Sequence, residues 1–133
     1  MEETNRVNAR CDLDIVEILR EGRRLVAAGW CQGAMAKSAE GRVVEACSPD
    51  ATAFDPLGAI ERATFNLLGG DRRYLIQNYY KGFYALAWEL HTHSRLAFWN
   101  DDAVRRKEDV LERFDMALER STRPLPNAPR AAA

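Results

Sequence analysis

The sequence predicts a mainly α fold, a compact bundle of about four helices with a small two-stranded β-hairpin near residues 34–45. Three observations carry this. Apolar residues recur at helical spacing in four separate segments. Proline and glycine stand where helices begin and end rather than at random. Residues 34–45 break the helical pattern with two short runs around a glycine-closed turn. With 133 residues, 47% of them hydrophobic, one core can hold the chain, since a domain of this size buries roughly two-thirds of the surface its unfolded chain exposes. The expected organisation is a polar N-terminal arm over 1–11, a single helical domain over 12–120, and a disordered Pro/Ala-rich tail over 121–133.

The first helix is expected at about 12–28, capped by Asp12, with Leu13, Ile15, Val16, Ile18, Leu19, Leu25 and Val26 as its stripe. Gly22 inside it costs up to ~1 kcal/mol relative to alanine, and Gly29 suits the position just past the helix end. Ala34–Lys37 and Arg42–Glu45 flank Ser38-Ala39-Glu40-Gly41, which reads as a hairpin that must lie against the helices, because an isolated one is marginal. Residues 46–54 connect to Asp55-Pro56, a helix start: proline disfavours helical geometry in the residue before it and is at home in the first turn. Leu57, Ile60, Ala63, Leu67 and Leu68 make the second stripe, which Gly69-Gly70 ends.

Asp71 is placed to cap a third helix of about 72–92. Its wide band comprises Leu75, Ile76, Tyr79, Tyr80, Phe83, Leu86, Ala87 and Leu90, the most aromatic part of the chain. Gly82 in its middle is read as a point of close packing rather than a break. Ser94–Asp102 reads as a connector containing Leu96-Ala97-Phe98-Trp99. The last helix, about 104–120, carries Val110, Leu111, Phe114, Ala117 and Leu118, with Asp109 and Arg113 four apart in the order that favours an ion pair.

Composition removes several function classes. The 19 basic and 20 acidic residues leave a net charge of -1, so no nucleic-acid partner is expected. The clusters Arg23–Arg24, Arg72–Arg73 and Arg105–Arg106–Lys107 have acids beside them and read as solvated faces. The longest apolar run, Phe83 to Trp88, falls far short of the ~20 residues that span a bilayer, so no membrane association is expected. Three widely spaced cysteines, Cys11, Cys31 and Cys47, imply reduced thiols rather than a disulfide framework. With no secretory pattern in Met1–Arg10, the expected location is the cytoplasm. No partner is identified; a homo-oligomer, such as a homodimer, is one arrangement open to the chain.

Two stretches depart from simple patterning. Trp30-Cys31-Gln32-Gly33-Ala34 follows the first helix, and Trp99-Asn100-Asp101 precedes the last. One reading is structural: the tryptophans plug the ends of the bundle while Gln32, Asn100 and Asp101 satisfy helix ends. The sharper reading joins Trp30, Gln32, Trp99, Asn100 and Asp101 in a ligand-binding pocket. Together with Leu57-Gly58-Ala59 and the final amphipathic helix, these pieces resemble a small family of bacterial and phage proteins, a domain of unknown function, over about residues 12–120. The resemblance brings no activity, ligand or catalytic residue with it. In that pattern a cysteine often stands just before the Leu-Gly-Ala piece; here Asp55-Pro56 takes its place, so no paired-thiol or metal role is carried over.

Cys31, then His91 or His93, then Asn100 follows the chain order of papain-like cysteine hydrolases, with thiolate, base and orienting amide in turn. The local cysteine signature of that class is missing, and a free cysteine is commonly a small buried hydrophobe. His91-Thr92-His93 lacks helical metal-ligand spacing and the cysteines are scattered, so no metal site and no cofactor are expected. Gly69-Gly70-Asp71 reads as a helix–helix turn, since Asp71 would repel an anion. Pro126-Asn127-Ala128-Pro129 is formally a PxxP, of a kind that arises by chance in a proline-rich end. The function stays unknown at this level. A non-enzymatic binding or interaction module is the leading expectation, and a small thiol-dependent hydrolase or transferase using Cys31 is the alternative.

Overall fold

The structure, a computed structural model, describes residues 11–124. The expected arm, apart from Cys11, and the part of the expected tail beyond Pro124 lie outside the described residues; Ser121 and Thr122, assigned to that tail, instead complete the last helix. Among the described residues the fold is mainly α, with five α-helices and one two-stranded antiparallel sheet.

Helix α1 spans Ile15–Ala28 and buries Ile18, Leu19, Gly22, Leu25 and Val26. Its cap is Asp14, whose carboxylate accepts the Val16 N–H at 2.8 Å, not Asp12. The reason lies one residue further on. The Leu13 N–H donates to Asn78 Oδ1 at 2.9 Å and Asp12 pairs with Lys81, so both residues are fixed outside the helix. Fully buried Asn78 also donates to the carbonyls of Cys11 and Tyr74 at 2.9 and 2.8 Å, which ties the start of the described chain to the third helix.

Strand β1 is Ala36–Lys37 and strand β2 is Ala53–Phe54, with Ala36 opposite Phe54 and Lys37 opposite Ala53. The turn expected at 38–41 is present: the Gly41 N–H donates to the Ser38 carbonyl at 2.9 Å and the Ser38 N–H to the Arg42 carbonyl at 2.8 Å. Its second arm, however, contributes only a single bridge between Lys37 and Val43. Val43 is 70% exposed, and only Val44 of that arm packs against the core, its N–H donating to the Ala36 carbonyl at 3.2 Å. The longer pairing goes to β2, which the chain after α1 also holds: the Cys31 N–H donates to the Phe54 carbonyl at 3.2 Å and the Phe54 N–H to the Gly29 carbonyl at 3.0 Å.

Helix α2, Pro56–Leu67, starts as expected, with Asp55 as cap accepting the Gly58 N–H at 2.7 Å and Pro56 in the first turn. Gly58 is required: a Cβ there would lie 1.8 Å from the Met35 backbone oxygen, so the helix start presses directly on the approach to β1. The third helix divides. A 3₁₀ turn at Arg72–Tyr74 leads into α3, Leu75–Ala87, and a second 3₁₀ turn follows at Trp88–Leu90. Gly82 packs closely and does not break the helix: a Cβ would stand 2.7 Å from Ile18 Cγ2 and 2.9 Å from Ile60 Cγ2. The break falls at Trp88, at φ 46° and ψ −119°. The expected apolar band is also narrower than the sequence suggests. Phe83, Leu86 and Ala87 are buried, while Ile76 is 71% and Tyr80 38% exposed.

The segment expected as a connector is helix α4, His93–Asp101, capped by Thr92, which buries only Leu96 and Asn100. Helix α5, Lys107–Thr122, buries Val110, Phe114 and Ala117. The expected Asp109–Arg113 pair does not form. The Asp109 carboxylate accepts the Arg106 N–H at the helix start, and Arg113 turns toward α3. Helix α1 packs chiefly on α2 and α5, α3 lies on α2, α1 and α5, and α4 lies on α2. Ile18, Leu19, Ile60, Phe83, Leu86, Leu96, Val110 and Phe114 meet as one core with at most 1% exposure each. Among the described residues no helix is long and apolar enough to cross a membrane.

Candidate functional site

The two unusual stretches meet. Trp30 Nε1 donates to Asn100 Oδ1 at 2.7 Å, and Asn100 Nδ2 donates to the Cys31 carbonyl at 3.1 Å. Gln32 Nε2 donates to the carbonyls of Asn100 and Asp102 at 2.8 and 3.0 Å, which satisfies the C-terminal end of α4. The Gly33 N–H donates to Asp101 Oδ1 at 2.9 Å, and that oxygen also accepts from Asn100 Nδ2 at 3.1 Å. Asn100 is fully buried, with both ends of its amide engaged. Trp30, Gln32, Asn100 and Asp101 thus form a latch between the loop after α1 and the end of α4. Their polar groups are directed at one another and at backbone, and Trp99, next in sequence, is left outside the latch.

Cys31 is buried, and its thiol donates weakly to the Ala34 carbonyl at 3.5 Å. Burial, together with the charges of Asp55 and Asp101, pushes the thiol up to about 11. A nucleophilic cysteine needs the opposite, a thiol driven down by a cationic partner. His93 is stacked on the Phe83 ring at 4.0 Å between centroids, and exposed His91 ends a 3₁₀ turn at φ 65°. Asn100, the proposed orienter, is committed to Trp30 and to the Cys31 carbonyl. The thiolate–imidazole–amide set expected as an alternative is therefore not assembled, and Cys31 is packed as a small hydrophobe. Beside it, Asp55 is 3% exposed. Burial raises its carboxyl to about 7 against the lowering effect of the Gly58 N–H, and the charge of Asp101 adds to the rise.

The site that sequence reasoning missed lies on the far side of Trp99. A cleft of about 270 Å³ opens between the end of α3, the loop after α4, and α5. Trp88 and Trp99 wall it. Arg105 lies 4.1 Å and Arg113 4.4 Å from the centre of the Trp99 ring, and Arg120 lies 4.1 Å from that of Trp88. The hydrogen bonds these arginines make go to main-chain carbonyls. Arg105 Nε donates to Trp99 at 2.7 Å, Arg113 Nη1 to Leu86 and Ala87 at 2.9 and 3.3 Å, and Arg120 Nη2 to Ala85 at 3.1 Å. The last three acceptors end α3, so Arg113 and Arg120 also satisfy a helix C-terminus, where cations are favoured.

Among the described residues, no carboxylate lies within 4.0 Å of these three guanidiniums, although Arg23, Arg24, Arg73, Arg106 and Arg123 each have one. Each guanidinium has five N–H donors in a fixed fork, and only one or two per residue are used. Burial, and then the charges of Arg120 and Arg105, hold Arg113 below the usual guanidinium value. Three guanidiniums crowd two indoles in this recess, and the charge of Glu89 acts on both Arg113 and Arg120. Asp109 and Glu112 line the same recess as a counterweight. The one sequence signal for it was the spacing Arg113 to Arg120, seven apart on one face of α5; Arg105 looked like part of a solvated cluster.

No curated protein and no solved structure is significantly similar to the chain. A family of proteins does match, over residues 10–120, which takes in α1 through most of α5, the latch and the cleft. The chain belongs to the Family of unknown function (DUF6197).

Proposed function

We propose that this domain is a non-enzymatic binding module whose ligand is a small organic anion held in the arginine–tryptophan cleft. One observation carries the reading: Arg105, Arg113 and Arg120 converge on a recess without carboxylate partners, their donor forks largely unused. Guanidinium forks match carboxylate and phosphate oxygens geometrically. The indole faces hold the guanidiniums in place by cation–π attraction before any ligand arrives, so little ordering remains to be done on binding. In this reading the residues singled out in the sequence divide their roles. Trp99 touches the ligand, while Trp30, Gln32, Asn100 and Asp101 hold the end of α4, and with it Trp99, at a fixed height above α5.

The free thiols of Cys31 and Cys47, both buried, fit a reducing cytoplasmic setting. Self-association into a homodimer belongs to the same proposal, with exposed Ile76 and Tyr84 on α3 as its support; a solution mass equal to one chain at every concentration would remove that part.

The test is a thermal-shift titration in low-salt buffer with acetate, succinate and inorganic phosphate, run on the full chain and on Arg120→Gln. A ligand at a hundred times its Kd stabilises the native state by about 2.7 kcal/mol. Saturable stabilisation by at least one of these anions, weakened in the variant, is expected. Equal shifts in both proteins would mean general salt effects and would remove the site.

A further inference from the structure

We infer that the occupant of the arginine–tryptophan cleft is a monoanionic aromatic carboxylate of one ring or two fused rings; this rests on the anion-binding reading above and adds the class of anion. Charge argues for the monoanion. Asp109 and Glu112 line the recess beside the three guanidiniums, and the charge of Glu89 acts on both Arg113 and Arg120, so acidic groups already offset much of the positive charge. A phosphate monoester carries about −1.5 to −2 at neutral pH and meets more repulsion from these carboxylates than a single carboxylate does.

Size argues for a compact ligand. A volume of about 270 Å³ falls just below the ~300–1,000 Å³ of most ligand pockets.

The walls argue for a flat, conjugated one. Trp88 is 53% exposed and is held at φ 46° and ψ −119°, a conformation bulky side chains rarely adopt and one that persists where the surroundings enforce it. Its indole lines the cleft with Arg120 4.1 Å from the ring centre. Met116, 51% exposed, lines the recess on α5, and a thioether is a favourable neighbour for an aromatic ring. A ring placed there covers apolar surface that is otherwise open to water, while its carboxylate reaches the forks of Arg113 and Arg120.

The experiment is isothermal titration of the full chain with four probes: benzoate, cyclohexanecarboxylate, acetate and phenyl phosphate. Benzoate and cyclohexanecarboxylate share a charge and nearly a size but differ in planarity. Benzoate is expected to bind about tenfold tighter than cyclohexanecarboxylate and tighter than acetate or phenyl phosphate, with quenching of tryptophan fluorescence. Trp88→Leu is expected to abolish the preference for benzoate while Arg120→Gln weakens all four. Should Trp88→Leu fail to fold, the wild-type affinity ratio decides alone. Equal affinities for benzoate and cyclohexanecarboxylate would overturn the aromatic assignment, and tighter binding of phenyl phosphate would overturn the monoanion; either result leaves the anion site standing. No binding of any probe at millimolar concentration would remove both this inference and the reading beneath it.

Discussion

Replacing Asp55 with asparagine should stabilise the protein at pH 8 and leave it almost unchanged at pH 4. Asp55 caps α2 and is 3% exposed, and burial raises its carboxyl from 3.8 to about 7. The native state therefore binds this proton more tightly than the unfolded chain does. Between pH ~4 and ~7 the folded protein holds more protons, so stability falls as pH rises through that window and levels off above it. A shift of about three units at 1.36 kcal/mol per unit gives an upper bound of ~4 kcal/mol. The positive end of α2 favours the carboxylate by ~0.3–1 kcal/mol, which brings the expected effect to ~3 kcal/mol. Asparagine caps as well as aspartate does, can accept the Gly58 N–H, and carries no charge to desolvate. The assay is urea unfolding of wild type and Asp55→Asn from pH 4 to pH 8. Glu21 and Asp71, whose carboxyls are lowered, act equally in both proteins and cancel in the difference. The difference should open from near zero to ~3 kcal/mol in favour of the variant, a rise in Tm of roughly 10 °C for a domain of this size. Parallel pH profiles would refute the argument that Asp55 is a desolvated acid.

Four further expectations follow from packing, hydrogen bonding and burial. Asn100→Ala leaves the Trp30 N–H and the Cys31 carbonyl without partners, at ~1–3 kcal/mol for each buried group; a chemical-denaturation loss below ~0.5 kcal/mol would show that the latch is not structural. Gly82→Ala drives a methyl against Ile18 and Ile60 side chains and should cost ~1–3 kcal/mol in the same assay. Gly58→Ala meets backbone at 1.8 Å and should be far more damaging, so equal losses for the two would contradict the packing described. Cys31 and Cys47, with thiols pushed up to about 11, should react with a disulfide reagent at pH 8 only as fast as the native state opens; rapid labelling of Cys31 in folded protein would reopen thiol chemistry.

The elements that declare themselves in the sequence are those with wide apolar stripes and chemically marked ends. Asp55-Pro56 and Gly69-Gly70 bracket α2 because proline and glycine restrict or free the backbone regardless of tertiary context. Helix α4 was hidden: it is nine residues long and buries only Leu96 and Asn100, too few positions to show a period. The break after α3 was hidden for a different reason. It falls at Trp88, where packing rather than residue type imposes a positive φ, and no glycine announces it. β2 escaped notice because two residues carry no alternation, and its pairing depends on the chain after α1. The latch was legible as composition, since Trp30, Gln32, Asn100 and Asp101 are unusual residues at helix boundaries. The cleft was not. Arg105, Arg113 and Arg120 look like ordinary surface charges until the fold sets them over Trp88 and Trp99, out of ion-pair contact with the carboxylates of the described residues.

Side-chain NMR of the arginines tests the anion cleft most directly. With the full chain labelled with nitrogen-15, benzoate and acetate are titrated while the Nε–Hε resonances are followed. The account predicts that Arg105, Arg113 and Arg120 shift together and saturate with one dissociation constant, while Arg23 and Arg24, already paired with Asp115 and Glu21, stay in place. Uniform, unsaturated drift of all arginine signals, or shifts confined to arginines outside the cleft, would contradict it.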